Sequence, residues 1–409
     1  MHANGETADV VVAGGGGVGL VLALAIRHAD PNATVVVVDG RPVGAGADDN
    51  RASAIAGAAR RMLTRLGVWH RLEDVAEPIR EMIVTDSRLA DAVRPVFLTF
   101  DGDVEPGEPF AHMVPNGAMA TAVTEMALAR GVTLVAPESV VDFETDAHGV
   151  DVVLAGGGRL RTRLLVAADG VRSQLRGLAG IGVVRHDYGQ SGIVTTVAHE
   201  RPHGGRAVEH FLPSGPFAIL PLKGDRSSIV WTEPTAEANR LVDLDEFTFE
   251  VELERRFGRL LGAIRPEGRR AAYPLGLVLA RSFVAPRFAL AGDAAHGIHP
   301  IAGQGINLGF RDAAALAEVV VEARRLGLDP GGADVLARYE RWRRFDTLQM
   351  GLVTDVLNGL FRTDFDPLRL ARDVGLGLVD RLPGLKKRFI REAAGLAGDL
   401  PRLMRGEAI

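Results

Sequence analysis

Residues 9–39 read DVVVAGGGGVGLVLALAIRHADPNATVVVVD, and this stretch decides the fold. Val10 to Ala13 form a short apolar run that enters a turn in which Gly14, Gly16 and Gly19 take the three places of G-x-G-x-x-G. A helical pattern follows to Ala29, Pro31 and Asn32 break it, and Thr34 to Val38 read as a second strand. Asp39 stands 20 residues after Gly19. Strand, glycine turn, helix, strand and acid in this order describe a βαβ unit that holds an adenine dinucleotide. Gly14 permits the tight turn, Gly16 lets backbone approach a pyrophosphate, and Gly19 lets the helix lie close on the strand. The helix N-terminus then offers unpaired N–H groups to the phosphates, and Asp39 is placed to accept from ribose hydroxyls. The motif alone does not decide between FAD and NAD.

The rest of the composition narrows the class. With 409 residues, 47% hydrophobic and 24% charged, the chain can bury a large core over two to three domains. A formal charge of -5 argues against a nucleic-acid binder. The absence of cysteine excludes disulfides, thiolate chemistry and Cys-ligated metal. No secretory leader and no run of 18 apolar residues is visible, so a cytoplasmic protein is expected.

Beyond Asp39 and Gly40 a Gly/Asp-rich loop leads into a helix whose buried face is Ala56, Ala59, Met62, Leu63 and Leu66. Arg51 closes that loop, either as a solvated charge or with its guanidinium on a cofactor oxygen, a contact that suits arginine. Residues 77–109 carry short β-like runs, EMIVTDS and RPVFLTF, and read as an excursion out of the nucleotide fold. A helix is expected over Met119–Arg130 and a strand over Val132–Val135, with Asn116 either capping that helix or facing the cofactor. Val140 to Ala168 read as a β-meander ending in Asp169-Gly170-Val171-Arg172-Ser173, either a capped helix start or a segment beside the dinucleotide pyrophosphates. Residues 188–282 are rich in strand-like runs broken by Gly, Pro and Asp, with a helical stretch expected from Asp245 to Ile264. The second dense signal is RFALAGDAAHGIHPIAGQGINLGFRDAAALAEVV, residues 287–320. It holds a strand, Gly292-Asp293, a loop with His296, His299 and Pro300, and a helix start punctuated by Gly303 and Gly305. Two histidines three apart raise a metal pair, but without cysteine or an adjacent acidic cluster the glycines at the helix start point instead to a flat or anionic ligand.

These three blocks together resemble the FAD-dependent aromatic hydroxylases built like p-hydroxybenzoate hydroxylase. The fragments YGQSGIVTTVAHERPHGGRAVEHFLPSGPFAILPL, DAAHGIHPIAGQGINLGFRD and YERWRRFDTLQMGLVTDVLNGLF narrow the likeness to the ubiquinone-biosynthesis hydroxylases, which act on polyprenylated phenols. Gly17 departs from the proline common in relatives, and Asp39 from the commoner glutamate. The resemblance implies an α/β architecture, a Rossmann-like FAD-binding domain with an inserted, mainly antiparallel β-sheet substrate domain and a helical C-terminal tail. In chain order, residues 1–76, 110–180 and 285–345 would build the FAD domain, 77–109 and 181–284 the substrate side, and 346–409 the tail. The cofactor positions it implies are Gly14, Gly16, Gly17, Val18, Gly19, Asp39, Gly40, Arg51 and Asn116 in the first part of the chain. They continue with Asp169 and Gly170 near the pyrophosphates, Gly292 and Asp293 on the ribityl chain, and Pro300, Gly303, Gly305, Ile306 and Asn307 at the flavin edge. NAD(P)H would be a transient visitor, O2 the co-substrate, and a phenol with a lipid tail the substrate. The resemblance assigns no catalytic residue; His210 and Tyr188 are the candidates for phenol deprotonation, although a structural role suits each better.

Residues 381–405 combine seven Lys or Arg with an apolar helical face of Leu385, Phe389, Ile390, Ala393, Leu396, Ala397 and Leu400. Such a face either packs on the flavin domain or meets an anionic membrane or a biosynthetic partner. Homo-oligomerisation stays open. The competing functions are a soluble aromatic or polyketide hydroxylase of the same fold and a non-catalytic flavoprotein scaffold.

Overall fold

A computed structural model describes residues 7–86, 96–101, 103–105, 107–298, 304–344, 346–347, 384 and 390–409. The opening stretch folds as β1 (Thr7–Ala13), α1 (Gly17–Ala29) and β2 (Val35–Val38), with β1 and β2 parallel and Val10 opposite Val35. Helix α1 is buried from Gly19 to Ile26 because nearly every side chain there is apolar. The expected start of the next helix shifts: Ala52–Ala56 is strand β3, and α2 runs over Gly57–Arg65. Pairing supplies the reason, since Ala52–Ala56 lies antiparallel to a later strand.

The excursion holds β4 (Glu77–Ile79), β5 (Glu81–Asp86) and β6 (Val96–Asp101), followed by the short β7 (Asp103–Glu105) and β8 (Glu108–Pro109). Strand β9 (Ala111–Pro115) then pairs with β3 and β4 in a three-stranded sheet. Helix α3 (Asn116–Ala129) returns the chain to the nucleotide fold, and β10 (Thr133–Val135) adds parallel to β2. The meander is β11 (Val140–Thr145), β12 (Val150–Leu154) and β13 (Arg159–Ala167), whose last strand runs parallel to β1, and it leads to the short α4 (Gln174–Leu178).

The second large sheet begins with β14 (Val183–His199), β15 (Arg206–Leu212), β16 (Gly215–Leu222) and β17 (Arg226–Pro234). Two helices follow, α5 (Thr235–Val242) and α6 (Glu246–Phe257), then β18 (Ile264–Ala280). The pattern predicts one helix reaching Ile264, but Gly258 at φ 78° ends α6, and the polar run after Ile264 is recruited into β18 by pairing with β14. Helix α5 goes unread in the sequence. Among the described residues this sheet has eight strands, ordered β21-β18-β14-β17-β16-β15-β5-β6 once β19 (Val284–Ala285), β20 (Phe288–Leu290) and β21 (His296–Gly297) complete the strands. It is antiparallel except between β15 and β5. Its outer face packs on α5 and α6 through Phe217, Ile229, Trp231, Phe249 and Leu253. There the Trp231 Nε1–H donates to Glu233 at 2.7 Å, and the buried Arg256 both pairs with Glu233 and stacks over the indole at 4.2 Å. Helix α7 (Gln304–Arg325) closes the nucleotide layer, crossing α1 so that Gly17 meets Ile306 and Phe310. No helix among the described residues is long and apolar enough to cross a membrane.

Candidate functional site

Three parallel neighbours, β1, β13 and β20, end at the same edge of the first sheet: Ala13 lies opposite Ala167, and Ala167 opposite Leu290. Each is followed by one of the three glycine-bearing turns. Gly14 follows β1, Asp169-Gly170 follows β13, and Gly292-Asp293 follows β20. The crevice outside the carboxyl ends of parallel strands is where open α/β sheets bind ligands. Backbone bonds tie the turns together: the Ala168 N–H donates to Ala13 at 2.7 Å, and the Ala291 N–H to Ala167 at 3.0 Å.

The glycines divide by what a side chain would meet. At Gly14, φ 113°, a Cβ would collide with the Ala168 carbonyl, and at Gly19 it would collide with the carbonyl of Gly14. At Gly16 and Gly305 it would meet nothing within 4 Å. Two positions are therefore glycine so that the protein can pack, and two face open space. Gly16 also begins α1 with no side-chain cap, so the first N–H groups of the helix are left for an anion. The fit to a dinucleotide is good on this observation. Asp39 is engaged within the protein itself. Its carboxylate accepts the Gly15 N–H at 2.7 Å and both the N–H and guanidinium of Arg41, so it also holds the glycine turn. Burial works against its charge, but Arg41 and these N–H groups hold it below the ordinary carboxylate range.

Val18 and Ile306 belong to the α1–α7 contact: the Val18 side chain wedges against Gly292 and Gly309, which leaves no room for a Cβ at Gly309. Gly40 lies against Ser139. Asn307 is buried and clamps α7 to β3, accepting from the Ala56 N–H at 2.9 Å and donating to Ala54 at 2.8 Å. Asn116 is the first helical residue rather than a cap; its amide donates to Asp49 at 3.3 Å and accepts from Ser53 at 2.7 Å. Asp49 also takes the Arg51 guanidinium at 2.7 Å, and Arg51 stacks 5.1 Å over the ring of Tyr273. Arg51 thus bridges from the nucleotide layer to the second sheet. Pro300, Gly303 and His299 lie outside the described residues.

The capped helix start offered for residues 169–173 is met, whereas the ties that Arg176 and Asp312 make across the fold were not read from the sequence. Ser173 caps α4 by accepting from the Arg176 N–H at 3.1 Å, and the buried Arg176 guanidinium donates to Ala294 at 2.7 Å and to Val171 at 3.0 Å, lacing the second turn to the third. Asp312, fully buried on α7, accepts the Gly292 N–H at 2.9 Å, His296 at 2.5 Å and Arg343 at 2.8 Å. Burial opposes its charge, and His296 and Arg343 more than offset that, holding its carboxyl below the usual range. His296 is accordingly the partner of a carboxylate. Asp293, next in chain, reaches solvent at the crevice floor and has no hydrogen-bond partner among the described residues. Crowding by protein raises its carboxyl above the ordinary range, opposed by His296 and Arg51 and reinforced by Asp312. A carboxyl in that state is suited to accept hydroxyl donors.

The inner face of the second sheet overlooks this crevice. Residues directly opposite one another share a face, so Tyr273, Gly192, Thr232, Ala218, Glu209 and Val84 lie on it together, Val230 joining Ala218 and Thr232. Ala207 and Leu222 on that face pack with Ala54 and Met113 of the three-stranded sheet. His210 lies on the outer face, bonded to Thr85 at 2.5 Å and stacked near Phe217. Tyr188 is buried against His186. In the C-terminal segment Ile390, Ala394, Leu400, Leu403 and Met404 are buried in the protein's own core, and Arg402 pairs with Glu318 and Glu322. Leu385 and Phe389 lie outside the described residues.

Known proteins resemble this chain. The family described as FAD binding domain matches residues 7–345. Ubiquinone hydroxylase UbiL of Rhodospirillum rubrum is 47% identical over 98% of this chain and 93% of its own length. The 3-demethoxyubiquinol 3-hydroxylase of Escherichia coli is 34% identical over 96% of this chain and 99% of its own. The crystal structure of p-nitrophenol 4-monooxygenase PnpA from Pseudomonas putida superposes with a TM-score of 0.79 at 22% identity, covering 96% of this chain and 99% of that one. With its glycine turn, its Asp-Gly and Gly-Asp segments and these relatives in agreement, the chain belongs to the FAD binding domain family.

Proposed function

We propose that this protein is an FAD-dependent monooxygenase that uses NAD(P)H and O2 to hydroxylate the aromatic ring of a polyprenylated phenol in ubiquinone biosynthesis. The observation that carries the reading is the convergence of the turns after β1, β13 and β20 on one crevice roofed by an apolar sheet face. The ubiquinone hydroxylases among its relatives supply the substrate class.

When bound, FAD supplies the redox chemistry, taking hydride equivalents from NAD(P)H and activating O2 for transfer to an electron-rich ring. The chain's own residues bind, orient and exclude water. The α1 N-terminus and Gly16 would hold the pyrophosphate, Asp39 the ribose, and Asp293 the ribityl hydroxyls. The first turn of α7, Gly305 to Asn307, would set its positive end at the flavin pyrimidine edge, where negative charge gathers on reduction. Arg51, fixed by Asp49, would stand between cofactor and substrate sheet. Residues 77–109 and 181–284 are read as the substrate side, its Val230, Ala218 and Val84 keeping water from the reacting ring.

The test is direct. Purified protein reconstituted with FAD should bind it stoichiometrically, oxidise NAD(P)H faster when a short-tailed prenylphenol is added, and yield the ring-hydroxylated product by mass spectrometry. Failure to take up FAD, or NAD(P)H oxidation indifferent to the phenol, overturns the reading; the second result would favour a scaffold.

A further inference from the structure

Glu209 is an ionisable residue that none of the contacts above employs. It lies mid-strand in β15, directly opposite Ala218 of β16 and Val84 of β5, and is only 4% exposed. Ala207 and Phe211, its neighbours on the same face, are buried among apolar side chains. Its carboxyl has no hydrogen bond or ion pair among the described residues. A carboxyl held in apolar surroundings without a partner is costly to the fold, and β15 could carry any apolar residue at that position. Such a group is kept for something that arrives.

We propose, resting on the functional reading above, that Glu209 recognises the phenolic hydroxyl of the substrate and accepts its proton, so that the ring reacts as the more electron-rich phenolate. The O–H bond breaks heterolytically, the proton passes to a Glu209 carboxylate oxygen, and the electron pair stays on the phenolic oxygen. After the ring is hydroxylated the same proton returns to that oxygen. Position supports the role: Glu209 sits on the face that carries Tyr273 and Ala218, the one turned to the crevice, while His210 faces away. Acidity supports it as well. Burial alone pushes the carboxyl up to about 7, closer to a phenol's ordinary value of about 10 and near working pH, where a general base acts best. The strands beside it present Ala218, Val84, Leu220 and Met82, the facing small sheet presents Ala54 and Met113, and the ionisable residue nearest in register is Asp86, opposite Phe211.

Two variants of the FAD-loaded protein separate recognition from proton transfer, with 2-geranylphenol and geranylbenzene as probes. Binding is read from flavin fluorescence, turnover from product. The wild type is expected to prefer the phenol by at least about tenfold, because a site built for a hydroxyl rejects the analogue lacking it. Glu209→Met should bind both probes alike. Glu209→Gln should keep the preference, lose roughly 100-fold in kcat/KM, and lose the rise of kcat/KM with pH through neutrality. A preference that survives in Glu209→Met overturns the proposal, as does a Glu209→Gln profile that superimposes on the wild type. Loss of FAD from both variants also overturns it, since that marks a structural residue. A wild type that binds neither probe refutes the functional reading itself.

Discussion

Replacing Asp312 by asparagine tests how the third turn is held. The carboxylate is fully buried, and each oxygen has a donor: Oδ2 takes the Gly292 N–H and His296, Oδ1 takes the Arg343 Nε–H. Asparagine has the same shape, but its amide must put NH2 on one side or the other. On the Oδ2 side it confronts the Gly292 N–H; on the Oδ1 side it confronts a buried guanidinium. Either orientation sets donor against donor. Breaking a buried ion pair by removing one partner costs about 3–5 kcal/mol. Arg343 retains Asp346 at 2.7 Å, so the lower figure, about 3 kcal/mol, is expected. In a chain of 409 residues, at about 2.1 cal/mol/K of unfolding entropy per residue, that corresponds to a fall in Tm of roughly 3–4 °C. The effect also reaches the ligand, because Gly292 carries Asp293: FAD content after purification should fall well below the wild type. The sign with pH follows from the lowered folded-state value of Asp312. Its contribution is fully present above the unfolded value of about 3.8 and is lost only as pH falls through the folded value, so the deficit of the variant should be undiminished from pH 6 to 8. Scanning fluorimetry on apo- and FAD-loaded protein, with the ratio of flavin to protein absorbance, measures both arms. A variant that melts within about 1 °C of the wild type and keeps its flavin refutes the argument.

Gly16→Val should leave the apoprotein folded and melting as before, since nothing lies within 4 Å of the new Cβ, yet weaken FAD binding at least tenfold by titration calorimetry. Gly19→Val, by contrast, should lower the Tm of the apoprotein itself, because its Cβ collides with the Gly14 carbonyl. Asp293→Ala should purify largely colourless with a normal circular dichroism spectrum; full yellow occupancy would remove the ribityl assignment. Glu209→Gln should stabilise the protein at high pH: holding a carboxyl at about 7 in place of 4.5 costs roughly 3–4 kcal/mol. The folded wild type keeps a proton that the unfolded chain releases, so its stability falls between pH 4.5 and 7. Urea midpoints of the two proteins should therefore coincide near pH 4.5 and separate above pH 7.

What could be read from the sequence was whatever is local. Gly14, Gly16, Gly19 and Asp39 lie within one βαβ unit, where strand, turn and helix fix one another at short range, and their geometry is that of the motif. The Gly-Asp turn announced itself through glycines at a helix start. Residues that act across the fold gave no such signal. Arg176 reads as one more arginine until β13 and β20 are set side by side, and Asp312 as one polar position in an Ala-rich helix until α7 is laid under the turn. The spacing of His296 and His299 raised a metal pair only to be set aside, and it did not show the carboxylate of Asp312 on α7 that takes His296. The helix that overran to Ile264 stops instead at Gly258, whose φ of 78° ends α6, and the polar run after Ile264, which has no strand pattern of its own, is recruited into β18 by pairing with β14.

The pattern in these misses bears on how the site works. Asp39 bonded to Gly15, Asn307 clamping β3 and Arg176 lacing Val171 to Ala294 all spend side-chain hydrogen bonds on holding backbone turns in place before any ligand arrives. Arranged this way, the crevice needs little reordering when a dinucleotide enters, and binding energy is not consumed in folding loops. Two carboxyls break the rule. Asp293 and Glu209 have no partner among the described residues, and the protein around them makes both weaker acids than usual. Of these two acids one lies on the crevice floor, open to solvent, and the other is buried in the roof above it. On the proposed reading, a cofactor with a polyhydroxyl chain would supply the partner for the first, and a phenol the partner for the second. A single occupied crevice thus accounts for both exceptions, and a reading of the protein without a hydroxyl-bearing substrate leaves Glu209 without a reason.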